Sequence, residues 1–129
     1  MGRDGLYLAN ATVLLTHQID AAYWHEWELF GLPGGAPLFV LTNLPMVFAV
    51  LWGARSLALG RLGGWMMSWA LVASGAIAII LHGYFLLQGY EAFSTPVSLG
   101  LLGATLVLSV MQGVRLSRSD VRPGLESKT

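Results

Sequence analysis

The sequence predicts an all-α fold, a bundle of four transmembrane helices with both termini cytoplasmic. Three observations predict it. Hydrophobic residues make up 55% and charged residues 11% of the 129 positions, against roughly 25% charged in an ordinary soluble domain. Three apolar stretches are each long enough to cross a ~30 Å hydrocarbon core, which takes about 20 helical residues. With four crossings, all 7 Lys and Arg residues fall on one side of the membrane.

The elements follow in order. The first helix is expected over 6–28. It opens on apolar residues and then carries Asn10, Thr12, Thr16, His17, Gln18 and Asp20. An ionised Asp near the bilayer centre costs roughly 2.5–3.5 kcal/mol, so this helix inserts only if its polar side faces protein. "GLPGGAP" over 31–37 ends it. The second helix is expected over 36–59. Its Pro45 lacks an N–H, so the Leu41 carbonyl loses its helical donor. "GRLGG" over 60–64 makes a tight turn into a third helix, 62–88. "GYEAFSTP" over 89–96 leads to the fourth, 95–116. The membrane domain thus spans 1–118, and 119–129 reads as a disordered polar tail.

Orientation follows from charge. Arg3, Arg55, Arg61, Arg115, Arg118, Arg122 and Lys128 share the side of the termini. The positive-inside rule makes that side cytoplasmic, in a cell inner membrane. Tyr23, Trp24, Trp27, Phe30, Tyr84, Tyr90 and Phe93 are expected as aromatic anchors at the outer interface. "ANA" over 9–11 mimics a cleavage site, but no apolar run precedes it, so Met1 reads as the mature start. The net charge of zero and the lack of a basic run argue against a nucleic-acid partner. The absence of cysteine excludes disulfides and thiolate metal sites.

The chemistry concentrates in "LTHQIDAAYWHEWELF", 15–30. On a continuous helix, His17, Asp20, Trp24 and Glu28 share a face, with His25 beside it. Glu26 points the other way and is expected in water. Asn43 on the second helix and His82 on the third fall at a similar depth. His17, Asp20 and His82 are therefore the candidate centre of a ligand or metal pocket in the outer half of the bundle. Trp24, His25, Glu28 and Asn43 are its candidate rim. Asp20, three residues after His17, is placed to orient the imidazole. Nitrogen and oxygen ligands without sulfur suit a divalent metal such as Zn, Fe or Mn. A carboxylate and imidazoles in a low-dielectric pocket also suit acid–base work on a lipophilic molecule. Haem held between His17 and His82 is the weaker reading. Besides the lipid bilayer, the expected partner is a small lipophilic molecule. The alternative is a non-catalytic subunit of a larger membrane complex, with a membrane protein as partner. Asn10 and Gln112 read as polar glue between helices.

"HQIDAAYWHEWELF", followed by a Gly/Pro turn and three apolar helices, resembles small bacterial membrane proteins classed as domains of unknown function. The resemblance covers most of the chain. It implies fold and membrane location and brings no activity. The stretch also resembles the family named for an H-x-x-E-E motif at His17, with Asp20 and Ala21 standing in place of the two glutamates.

Overall fold

The computed structural model describes residues 1–118, and the regular elements among these residues are all helices. They are α1 (Arg3–Tyr23), α2 (Glu26–Leu29), α3 (Gly35–Ala58), α4 (Leu62–Leu87) and α5 (Pro96–Arg118). The expected tail, 119–129, lies outside the described residues. Three helices, α3, α4 and α5, are long and apolar enough to cross a membrane. The more polar α1 is not among them.

The stops are local chemistry. At the α3–α4 turn, Gly60 takes φ 64°, and the amides of Gly60 and Arg61 return to the carbonyls of Leu57 and Ser56. The same pairing ends α4 at Gly89, φ 83°. This hydrogen-bonded cap needs a left-handed residue, which glycine supplies without a Cβ clash. Thr95 caps α5, its Oγ accepting from the Ser98 amide at 3.1 Å, and Pro96 occupies the first helical position.

The helix expected over 6–28 is corrected. It stops at Tyr23, and His25 adopts a left-handed conformation, φ 51°, ψ 51°. The His25 amide bonds the Ala22 carbonyl at 3.3 Å. A helix end of the glycine type thus forms with histidine in glycine's place, at a cost of about 1–2 kcal/mol. The break re-aims everything after it.

The four long helices form a ring. α1 packs on α5, α5 on α4, α4 on α3, and α3 closes lightly on α1. Tyr7, Ala11 and Leu14 of α1 meet Val50 of α3 and Leu71 of α4 in one apolar core. The Tyr7 hydroxyl donates to the Val50 carbonyl at 2.8 Å. Asn10 Nδ2 donates to Gln112 Oε1 at 2.7 Å and to Ser109 Oγ at 3.3 Å. All three residues are buried, so α1 is tied to α5 by a satisfied polar network. At Gly64 and Gly75 neighbouring helices pack against the bare glycine. A methyl at Gly64 would collide with the Leu57 backbone, and one at Gly75 with the Ser109 side chain.

The outer surface is apolar. Only 6% of the most hydrophobic stretch of α3 is buried, and 22% of those of α4 and α5. Hydroxyls on it bond their own helix: Thr12 to the Leu8 carbonyl, Thr16 to Thr12, Thr42 to Phe39 and Ser117 to Gly113. Such internal satisfaction suits a surface facing hydrocarbon, where no water is available.

Candidate functional site

His17 in the fifth turn of α1 and His82 near the end of α4 point into the ring at the α2 end. Both are essentially inaccessible to solvent. Their rings meet edge to face, centroids 4.6 Å apart. Phe93 covers both, at 5.8 Å from His17 and 4.2 Å from His82. The sequence suggested an interfacial anchor for Phe93. It is instead fully buried, and its φ of 64° is left-handed. Among the described residues the two non-glycines with positive φ are Phe93, which packs on both imidazoles, and His25, which immediately precedes Glu26. Such strain persists only where surrounding structure over-determines it, and it clusters at functional positions.

His82 has a defined tautomer. Its Nδ1 lies 2.7 Å from the Ala78 carbonyl, which can only accept, so Nδ1 carries the proton. Neutral His82 then presents Nε2 as an acceptor. Glu26 Oε1 stands 3.5 Å from that nitrogen, within ion-pair range but not in hydrogen-bond geometry. The Glu26 side chain is 14% exposed, and burial raises its carboxyl from 4.5 to about 7. This overturns the expectation that Glu26 is wet. The cause is the break at His25, which turns the start of α2 inward.

Asp20 does not orient His17. Its Oδ1 accepts from Ser98 Oγ at 3.0 Å. Ser98 in turn accepts from Trp24 Nε1 at 3.3 Å, and Thr95 Oγ lies 2.8 Å away. Asp20 and Trp24 thus clasp α1 to the start of α5. His17 is left with neither ring nitrogen hydrogen-bonded, and Asp20 Oδ2 and His82 Nε2 are likewise buried without a hydrogen-bond partner. Asn43 donates to the Phe39 carbonyl of its own helix at 2.8 Å and does not join the site. His25 and Glu28 pair with each other at 3.5 Å, both well exposed, and His25 stacks on Trp27. The shared face that would have carried Glu28 ends with α1.

His17, Gln18, Glu26, Ser74 and His82 are the polar lining of a cleft of about 250 Å³. Its remaining wall includes Leu14, Leu15, Met46, Val50, Leu71 and Leu81, drawn from α1, α3 and α4. Of the seven residues expected at the centre and rim, only His17 and His82 line it. Glu26 was missed because glutamate in a Trp-rich, interfacial stretch reads as solvated. The one available signal was the crowding of polar residues after Ala22, which a helix could not all satisfy. The metal expectation gains no support: among the described residues, no group of three or more His, Cys, Asp or Glu is placed to hold a metal ion.

Residues 4–119 match a family model described as a family of unknown function (DUF6713). The chain belongs to this family. The match agrees with the resemblance to uncharacterised domains and, like it, supplies no activity. No curated protein and no solved structure matches the chain.

Proposed function

We propose that this is a multi-pass inner-membrane protein with both termini cytoplasmic, whose α1–α3–α4 cleft binds a small lipophilic molecule through a polar head. The observation that carries this is His17: a fully buried imidazole lining a largely apolar cleft, with no hydrogen bond at either nitrogen. Each buried polar group left unsatisfied costs about 1–3 kcal/mol. A guest that satisfies them recovers that cost. Neutral His17 offers one donor and one acceptor, and His82 Nε2 offers an acceptor. A hydroxyl matches that set, since it can donate to one ring and accept from the other. The apolar lining accommodates a hydrocarbon tail.

The fourth crossing is α1. Its 21 residues reach about 30 Å at 1.5 Å per residue, and its polar residues Asn10, His17 and Asp20 face α5 and α4 rather than the outside. Single cysteines in place of Gly2 and Leu32, in a chain without native cysteine, should react with a membrane-impermeant maleimide from opposite sides. Reaction from the same side excludes α1 as a crossing.

The ligand test uses 1-decanol and decane, which differ by the hydroxyl alone, on purified protein in detergent with ¹⁵N-labelled histidine. Decanol should move the ring-nitrogen resonances of His17 and His82 in a saturable manner, and decane should not. Identical responses to the two molecules, or a decanol response unchanged in His17→Phe, would refute the polar-head assignment.

A further inference from the structure

A second cavity lies at the opposite end of the bundle, where α1 begins, α3 turns into α4, and α5 ends. Its volume is about 420 Å³. Arg3, Arg61 and Arg115 line it, from three different parts of the chain, and among the described residues Asp4 is the one acidic residue of its lining. Leu6, Leu57 and Leu116 supply an apolar wall, and Trp65 and Gln112 complete the polar side. Arg115 also donates to the Met1 carbonyl. We propose that this cavity takes the phosphate headgroup of an anionic phospholipid, with Arg3, Arg61 and Arg115 facing the phosphate and the leucines facing the start of the acyl chains.

Three features support the assignment. Guanidinium groups offer planar, forked donors suited to phosphate oxygens. α1 and α4, 21 and 26 residues long, both begin at the rim of the cavity with no side chain capping them. Their amide ends add positive potential at the same place, partly offset at α1 by Asp4 in its first turn. The mixed lining distinguishes a lipid from free phosphate, since a free anion gains nothing from three leucines. Basic pockets between membrane helices on the cytoplasmic side are suited to anionic headgroups. Arg55 and Arg118 belong to the same end of the bundle but do not line the cavity. They supply the control, because replacing them removes the same charge from the same surface.

The test is native mass spectrometry of the full chain released from detergent. The probes are dioleoyl-phosphatidylglycerol, dioleoyl-phosphatidylcholine and inorganic phosphate. Phosphatidylglycerol should remain bound while phosphatidylcholine dissociates. Arg61→Gln should weaken retention roughly fivefold, the contribution expected of one arginine near an anionic headgroup. Arg3→Gln/Arg61→Gln should weaken it further, and Arg55→Gln should leave it unchanged. Excess inorganic phosphate should not displace the lipid. Equal retention of the two lipids, equal losses in Arg61→Gln and Arg55→Gln, or displacement by inorganic phosphate would each overturn the proposal, the last by showing a free-anion site. All three arginines to be replaced are exposed, and unchanged helical circular dichroism of the variants verifies that they remain folded.

Discussion

Glu26→Gln should remove a pH-dependent weakness from the fold. Burial raises the Glu26 carboxyl from 4.5 to about 7. The folded protein therefore holds the proton more tightly than the unfolded chain does. Below pH 4.5 both states are protonated and the site costs nothing. Between pH 4.5 and about 7 the unfolded chain releases its proton first, so stability falls as pH rises. Above about pH 7 the folded state carries the full burden of a buried carboxylate. At about 1.4 kcal/mol for each tenfold change in proton affinity, that burden is on the order of 3 kcal/mol. Glutamine keeps the shape and has no proton to lose. The two proteins should be about equally stable at pH 4.5, and the variant should be more stable by up to about 3 kcal/mol at pH 8. Unfolding in mixed micelles of increasing SDS fraction, followed by tryptophan fluorescence, measures both. Groups common to the two proteins, His25 and His82 among them, cancel in the difference unless they couple to Glu26. A difference that is flat with pH, or a wild type that gains stability relative to the variant as pH rises, would refute the reasoning. The second result would mean that an ionised Glu26 is held by a cationic His82, an ion pair that outweighs the burial cost.

Other outcomes follow from the packing. Gly64→Ala should cost about 1–3 kcal/mol, because the new methyl meets the Leu57 backbone rather than a movable side chain. Gly83→Ala, which meets nothing, should be neutral or slightly stabilising through helix propensity; equal effects at the two sites would contradict the close α3–α4 approach. A double-mutant cycle on Asn10→Ala and Gln112→Ala should give a coupling of about 0.6 kcal/mol and at most ~1.7, the range for polar pairs between membrane helices. Zero coupling would mean that the 2.7 Å bond contributes nothing beyond packing. His25→Gly should be neutral or stabilising by up to about 1 kcal/mol, since glycine adopts the left-handed turn without a Cβ clash. A loss larger than that, measured by the same unfolding assay, would place the value of His25 in its stack on Trp27.

The long helices were legible because their signals are strong and local. Apolar runs gave α3, α4 and α5, and Gly60 and Gly89 marked two stops with the residue the geometry prefers. The end of α1 was not legible, because His25 makes a turn that sequence reading assigns to glycine. That single substitution of roles accounts for the largest errors at the site. It cut Glu28 away from the His17 face and brought Glu26 inward. The juxtaposition of His17 and His82 was legible from depth alone, since two polar groups at one level of an apolar bundle have few other partners. Asp20 was misread for the converse reason. Its nearest histidine is on its own helix, but Ser98 on α5 wins its carboxylate, and a cross-helix partner cannot be read from spacing within one helix. Phe93 was misread because loop aromatics near a membrane usually face the interface.

The cleft lies on the flank of the bundle, between α1 and α3, where the ring closes only lightly. That location sets the concentration scale a guest experiences. For the lipophilic guest proposed above, entry from the leaflet would make occupancy track its mole fraction there and not its molarity in the buffer. Half-saturation should then shift in proportion to the amount of lipid present at fixed total ligand. Two molecules with the same intrinsic fit will rank by their partition coefficients, and screens run in dilute detergent and in vesicles will order the same compounds differently.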